Sequence, residues 1–215
     1  MEQDVVAVFP LPNVVFFPQT ELPLHIFEPR YCEMIGDTVE NKQLIGIFLL
    51  QPGWQEDYYG SPPIYSVGCA GEMVHCENLP EGKFNILLSG IARVRALETV
   101  QEYPYRKVRV QILPEIVSRD ESEVQVMKRE LLRDFRVFSQ YIECQEIERS
   151  WQFAKVVNMI ATALPMDLDA RRTLLEENDV YCRAVAVQEQ LASHVSVLKL
   201  TGSFSHLRPT DPNRN

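Results

Sequence analysis

Short apolar runs broken by proline and glycine fill the first half of the chain. The stretch FPLPNVVFFPQTELPLHIFEPRY, residues 9–31, contains three of them, including Val14–Phe17 and Leu22–Phe27. Apolar runs of about four to eight residues punctuated by proline are typical of strands, because proline has no N–H to donate to a β-ladder. This stretch therefore predicts strands of a small sheet or barrel.

Four more strands are predicted before Pro114. They are residues 44–50, the two arms of a hairpin at 65–77 and 83–97, and residues 105–113. The hairpin turn has Pro80 early and Gly82 late, as turn geometry favours. A short helix is predicted after Tyr31, at about residues 32–40. The polar residues 51–63 predict a long loop, which in a compact domain is typical of a functional or mobile segment.

From about residue 122 the apolar period changes from two residues to about 3.6, which predicts helices. The apolar face of the first helix consists of Val124, Met127, Leu131, Phe135, Phe138 and Ile142. Three more helices follow, for which Ser150, Asp167 and Asp179 are the predicted N-caps. Pro165 ends the second helix, and the third continues to Glu177.

This change from strands to helices predicts an α+β fold of two lobes. We place the β-rich lobe at residues 1–118 and the helical lobe at residues 119–202. Residues 203–215 predict a flexible tail.

Several phrases of the sequence carry a family resemblance in the same chain order. They are LPLHIFEPRY (22–31), LIGIFLL (44–50), YSVGCAGEMV (65–74), GKFNILLSGIARVRAL (82–97) and LPMDLDARRTLLEENDV (164–180). As a set they resemble the N-terminal, substrate-binding domain of Lon proteases, over roughly residues 5–200. Lon proteases continue into an ATPase module and a Ser-Lys peptidase module, whose motifs this sequence lacks, so the resemblance is to the stand-alone form of the domain.

The resemblance implies an N-terminal PUA-like β-barrel followed by a C-terminal α-helical bundle. It also implies a non-catalytic module that recognises polypeptide, either unfolded segments or a specific protein partner, in connection with proteolysis or protein quality control. We therefore expect that the chain is not an enzyme and needs no cofactor. Two other classes stay open: a small-ligand or RNA-binding protein that uses the barrel, and an enzyme built around His25 and Cys32.

Composition and charge limit the classes of partner that the chain is expected to bind. The net charge of −9 argues against a nucleic-acid backbone as the main partner. Residues 1–118 carry most of the acidic excess, with 8 basic and 15 acidic side chains. No apolar run approaches the roughly 20 residues that span a bilayer, so no membrane partner is expected. Five cysteines without close pairing are typical of reduced thiols, which predicts a cytoplasmic protein.

Three sets of residues suggest a catalytic pair, a metal site and an RNA site, and each set has a simpler structural explanation. His25 and Cys32 lie close in sequence, but a hydrogen-bonded strand histidine and a structural thiol are the preferred explanation. Cys69 and His75 would lie about 20 Å apart along one strand, too far for a shared metal with Cys76. The basic residues are Arg93, Arg95, Arg106, Lys107 and Arg109. They predict a basic strand face balanced by Glu98, Glu102 and Glu115 rather than an RNA site.

The best candidate for a binding site joins the segment after the Leu22–Phe27 run to the 51–63 loop. Its residues are Phe27, Glu28, Arg30, Tyr31, Trp54, Tyr58 and Tyr59. In the structural explanation, Glu28 and Arg30 pair, with Phe27 and Tyr31 in the core. In the functional explanation, the exposed members border a groove for unfolded polypeptide, since aromatic and arginine side chains are frequent interface anchors.

Overall fold

The computed structural model describes residues 4–41, 43–142 and 144–203, with only the backbone described for Asp4 and residues 200–203. Within these ranges the strands are β1 Asp4–Leu11, β2 Glu21–Ile26, β3 Ile45–Leu49, β4 Val67–Asn78, β5 Phe84–Gln101 and β6 Lys107–Ile112. The α-helices are α1 Pro29–Asn41, α2 Glu121–Phe138, α3 Phe153–Ala163, α4 Leu168–Glu176 and α5 Val180–Ser203. The protein is thus a mixed α+β structure, with strands first and most helices after them.

The six strands form one sheet in the order β2-β5-β4-β3-β1-β6. Only β1 and β3 are parallel among the named pairs; the other pairs are antiparallel. Strand β5 is 18 residues long, and while its first half pairs with β2 and β4, its second half also pairs with β6. The pairings β5–β4–β3–β1–β6–β5 therefore form a closed cycle, and β2 is an additional strand beside β5.

The apolar run Val14–Phe17, predicted as a strand, is not one, and this prediction was wrong. The run is buried but crosses the sheet near Gly90 instead of following a neighbouring strand. Gly90 exchanges backbone hydrogen bonds with Gln19 and Thr20. A Cβ on Gly90 would lie 2.3 Å from the carbonyl oxygen of Phe17, so the close crossing requires glycine.

Two hydrophobic cores meet along this crossing segment. Phe16 packs into a core between the sheet and α1, whose centre includes Met34, Ile45 and Leu88. Phe17 packs into a larger core formed with α2–α5. The larger core contains Leu131, Phe135, Val156, Val157, Ile160, Leu164, Ala184, Val187 and Leu191, which follow the apolar periods of the sequence. The segment therefore joins strands to helices by apolar packing.

The helix ends show which capping predictions were right. The side chain of Asp167 accepts a hydrogen bond from the Ala170 amide at 2.7 Å, and that of Asp179 accepts one from the Tyr181 amide at 2.8 Å, so both N-caps are confirmed. Ser150 is not a cap, because α3 begins after Gln152. Helix α2 ends at Phe138, before the predicted Ile142.

A hydrogen-bonded cluster around two buried arginines, the Arg–Glu cluster, ties β5 to the helices. It consists of Arg93, Glu115, Asn158 and Arg183. The side chains of Arg93 and Arg183 are both fully buried, and both contact the carboxylate of Glu115. The prediction that Arg93 lies on an exposed basic face is therefore wrong, because alternation along β5 turns it towards the helices. Glu115 was predicted to balance the basic residues, and it does pair with Arg93.

None of the described helices is both long and apolar enough to cross a membrane. The predicted tail falls on residues 203–215, of which Ser203 ends α5 and the others lie outside the described residues.

Candidate functional site

The candidate residues come from two segments, the β2–α1 junction and the loop between β3 and β4. Pro29 is the first residue of α1, a position where its fixed φ suits a helix and its missing N–H leaves no helical bond unmade. The backbone carbonyl of Glu28 accepts hydrogen bonds from the amides of Tyr31 and Cys32. This helix start places the side chains of Glu28, Arg30 and Tyr31 beside the loop.

Glu28, Arg30 and Tyr58 form a hydrogen-bonded clip between the two segments. The Glu28 and Arg30 side chains pair at 3.1 Å, and the Tyr58 hydroxyl donates to Glu28 Oε1 at 2.5 Å. Arg30 also donates to the carbonyl oxygens of Tyr58, at 2.9 Å, and Gly60, at 3.3 Å. The clip therefore fixes the loop against α1. Pairing of Glu28 with Arg30, the structural explanation for these two residues, is confirmed.

The aromatic members divide into buried and exposed groups. Tyr31 is 6% exposed and packs edge-on against Phe9, so its predicted place in the core is confirmed. Phe27 is 59% exposed and stacks on His25, so its predicted place in the core is wrong. The rings of Trp54 and Tyr58 lie 5.5 Å apart between centroids. Tyr59 contacts Tyr58 and is 84% exposed.

A small hollow, bordered by Tyr59 and lined by Arg30, Tyr31, Tyr103 and Arg106, lies beside the clip. Its volume is about 20 Å³. Tyr103 is 73% exposed, and it was missed in the sequence because it stands in a short turn outside any apolar pattern. The signal that could have found it is the phrase Tyr-Pro-Tyr-Arg at residues 103–106, an aromatic and arginine group in a turn.

The hydroxyl and guanidinium groups around the hollow have shifted acidities. Burial raises the pKa of Tyr31 to about 12, although the neighbouring Arg30 acts in the opposite direction. The hydrogen bond to Glu28 raises the pKa of Tyr58, because it holds the phenol proton. Burial lowers the pKa of Arg106. Tyr31 and Tyr58 thus remain neutral hydroxyl groups at neutral pH.

The pair His25 and Cys32 does not form a catalytic arrangement. His25 Nδ1 is 2.9 Å from Asn85 Oδ1, and the Cys32 thiol faces the carbonyl oxygen of Ile26 at 3.9 Å. Burial raises the pKa of the Cys32 thiol, which opposes formation of the reactive thiolate.

The described ranges contain no arrangement of side chains that forms a metal site or a disulfide. Among those residues, no group of three or more His, Cys, Asp or Glu side chains is placed to hold a metal ion. All five cysteines lie in the described part of the chain and carry free thiols.

The remaining basic residues are used individually. Arg109 pairs with Glu98 at 2.7 Å, as the predicted balance of charges requires. Arg106 donates to the carbonyl oxygen of Pro62, and Lys107 lies over the ring of Tyr105.

A second, larger depression, the cleft, lies between the start of β2 and helices α2 and α3. It has a volume of about 220 Å³. Its lining consists of Thr20, Glu21, Phe135, Cys144, Gln145, Ile147, Met159, Thr162 and Ala163. None of these residues was predicted as part of a site.

Comparison with known proteins gives one family. A family model described as the ATP-dependent protease La (LON) substrate-binding domain matches residues 5–193. Lon protease 2 of Myxococcus xanthus is 27% identical over 206 residues, which cover 93% of this chain and 25% of that protein. The Lon protease of Anaeromyxobacter dehalogenans strain 2CP-C is also 27% identical over 206 residues, with 93% and 24% covered. The chain spans about a quarter of the length of these curated relatives.

Solved structures show the same fold. A Lon N-terminal domain protein from Xanthomonas campestris superposes with a TM-score of 0.63 at 22% identity, covering 88% of this chain and 97% of that one. The N-terminal domain of the Mycobacterium avium complex Lon protease gives a TM-score of 0.67 at 14% identity, covering 89% of this chain and 100% of that one.

Proposed function

Because the chain belongs to the family of Lon substrate-binding domains, we propose that it is a non-catalytic module that recognises polypeptide, either unfolded segments or a specific protein partner. The relatives are named as proteases, which supports a role connected with proteolysis or protein quality control. In this proposal the chain supplies recognition, and any cleavage belongs to another module or protein.

The observation that carries the proposal is the pair of exposed tyrosines, Tyr59 and Tyr103, at the rim of the hollow. Tyrosine supplies a large contact area with few rotatable bonds, so it is a frequent anchor at protein interfaces. The clip holds Tyr58, the neighbour of Tyr59, against α1. Binding of a polypeptide therefore does not require the loop to become ordered first, which lowers the entropic penalty.

The sizes of the two depressions favour polypeptide over a small ligand in the barrel. Small-molecule sites typically enclose about 300–1,000 Å³. The hollow, at about 20 Å³, and the cleft, at about 220 Å³, are both smaller. RNA binding is disfavoured because Arg93 is buried and the chain carries a net charge of −9.

The finer description of the fold is part of the same proposal. The closed cycle of strand pairings supports a PUA-like β-barrel in residues 1–118. The shared apolar core of α2–α5 supports a helical bundle in residues 119–202. A cytoplasmic location, predicted from the thiols, stays a prediction.

The first test measures binding to an unfolded chain. A fluorescently labelled, permanently unfolded protein is titrated with this protein, its native form serving as a control, and anisotropy is recorded. We expect saturable binding to the unfolded form only. Absence of binding at high micromolar concentration would exclude general recognition of unfolded chains.

The second test locates the site. Replacing both Tyr59 and Tyr103 by alanine is expected to weaken binding about tenfold or more, because hot-spot aromatics dominate interface energies. The control is Tyr141→Ala, since Tyr141 is a 50% exposed tyrosine that lies after α2 and does not line the hollow. Tyr58 is unsuited to this test because its hydroxyl helps to hold the clip. Equal affinity of the double variant and the control would remove the hollow from the proposal.

A further inference from the structure

The hollow contains a cation whose charge is not neutralised by a close carboxylate. Arg106 is half-buried, and the one hydrogen bond of its guanidinium recorded in the described part of the chain runs from Nη2 to the carbonyl oxygen of Pro62, at 2.8 Å. No carboxylate lies within ion-pair distance of Arg106 among the described residues. A guanidinium has five N–H donors, so most of its donors remain available.

The neighbouring Arg30 is in a different state. Its charge is balanced by Glu28, and its N–H groups are used by Glu28 and by the loop carbonyl oxygens. Arg106 is therefore the guanidinium of the hollow without a directly paired carboxylate, although Glu102 and Asp57 act on it electrostatically from further away. Burial of an unpaired cation is unfavourable, and an incoming anion that pairs with it removes that penalty.

A second donor points to the same occupant. Tyr31 lines the hollow together with Arg30 and Arg106, and the guanidinium of Arg30 lies over its ring, 4.6 Å from the centroid. No hydrogen bond of the Tyr31 hydroxyl is recorded within the described residues, and it is not among their buried, unsatisfied atoms, so solvent or a ligand reaches it. A neutral phenol that keeps its proton donates a hydrogen bond to an anion.

We propose that the hollow binds a carboxylate of the recognised polypeptide, held by Arg106 and the Tyr31 hydroxyl, with an adjacent aromatic or large apolar side chain against Tyr59 and Tyr103. This inference rests on the proposed function and adds the chemistry of the ligand to it. The volume of about 20 Å³ accommodates a group of the size of one or two water molecules, which suits a carboxylate better than a phosphate. Guanidinium and carboxylate are also matched in geometry. The carboxylate is that of the C-terminus or of an acidic side chain.

Glu102 also lines the hollow, and its negative charge is expected to weaken the binding of a carboxylate. It is exposed and interacts electrostatically with Arg106, so it repels an incoming carboxylate and competes with it for the guanidinium. Replacing Glu102 with glutamine is expected to strengthen binding of a carboxylate ligand. A hollow that merely contacts apolar side chains would not respond in this way.

The test uses three labelled peptides with one Gly/Ser-rich body ending in Leu-Phe. The first has a free C-terminal acid, the second a C-terminal amide, and the third is an amide with Glu in place of Leu. Anisotropy titrations of the full chain are expected to show the free acid bound about tenfold or more tightly than the plain amide, the effect of a charge-assisted hydrogen bond. If the Glu-containing amide binds as tightly as the free acid, a side-chain carboxylate serves equally well; if it binds like the plain amide, the C-terminus is the source.

Variants separate this proposal from the general one. Arg106→Gln is expected to abolish the preference for the acid, and Glu102→Gln to increase it several-fold. The control Arg109→Gln, with the same change of charge on β6, is expected to preserve the preference. Since Arg106 also holds Pro62, Glu102→Gln serves as the variant on an exposed residue whose effect does not depend on that contact. Equal binding of all three peptides would overturn the carboxylate site and leave polypeptide recognition standing, whereas no binding of any peptide would overturn both.

Discussion

Replacement of Glu115 by glutamine tests the Arg–Glu cluster, in which two fully buried arginines pair with one carboxylate. The Glu115 carboxylate receives a hydrogen bond from Arg93 Nε and two from Arg183, at 3.1 and 3.2 Å. Both guanidinium groups are fully buried, while the Glu115 side chain is 33% exposed. The variant keeps the shape of the side chain but removes the carboxylate that pairs directly with both buried arginines.

The size of the effect follows from what each arginine retains. Removing one partner of a buried ion pair typically destabilises a protein by about 3–5 kcal/mol. Arg93 keeps the carbonyl oxygens of Leu175 and Pro114, and Arg183 keeps that of Glu177. Water can also reach the position of Glu115. We therefore expect the lower end, about 3 kcal/mol, which for a chain of this size lowers the Tm by about 6–12 °C.

The assay is urea unfolding followed by far-UV circular dichroism, which reports the helices, and by tryptophan fluorescence. The chain has two tryptophans, Trp54 in the loop near the hollow and Trp151 just before α3. The matched control is Glu98→Gln, because Glu98 pairs with Arg109 at the surface and such pairs contribute at most about 1 kcal/mol. If the two variants unfold at the same urea concentration, the Arg–Glu cluster does not stabilise the junction of strands and helices.

Two further predictions concern the crossing segment and the buried tyrosine. Gly90→Ala is expected to destabilise the protein by about 1–3 kcal/mol, because its Cβ would clash with the backbone of Phe17. The control Gly36→Ala in α1, where the space is open, should leave stability unchanged or raise it by up to about 1 kcal/mol. Thermal unfolding of both variants checks this, and equal Tm values would contradict the close crossing. Tyr31 has its pKa raised from 10.0 to about 12 by burial, so the stability it contributes is complete below pH 10 and is lost as the pH rises from 10 to about 12. Urea midpoints at pH 9 and 11 should therefore fall further for the native chain than for Tyr31→Phe, and parallel falls would refute the shift.

Local patterns predicted most elements of this fold, because their causes are local. The apolar period of α2 and the caps at Asp167 and Asp179 depend only on residues within a few positions. The run Val14–Phe17 was misassigned because an apolar run has the same pattern in a buried strand and in a buried irregular segment. The deciding contact is with Gly90, far along the chain.

The buried charges were predicted less well, because the residues that pair with them are also distant in sequence. Alternation along β5 correctly placed Arg93 and Val94 on opposite faces but could not tell which elements cover each face. The partners of Arg93 lie 21–85 residues further along the chain, at Pro114, Glu115, Leu175 and Asn178. From sequence alone, a charged residue in a strand is predicted to be exposed, because the distant partner that neutralises it is not known.

The candidate site was predicted in part from local sequence and depends in part on contacts with distant residues, and this determines which of its side chains can contact a ligand. The phrase around Glu28 and Arg30 was recognisable, but the hydrogen bonds of Glu28 and Arg30 to each other and to the loop already occupy their polar groups. The groups left available are Tyr31, Tyr59, Tyr103 and Arg106, of which Tyr31 and Tyr59 were predicted as site residues. Because the charges of the clip pair with each other, the proposed site depends on Arg106 to distinguish one ligand from another. Affinity for polypeptide in general would then come from the two tyrosines, and selectivity for a carboxylate from the balance between Arg106 and Glu102.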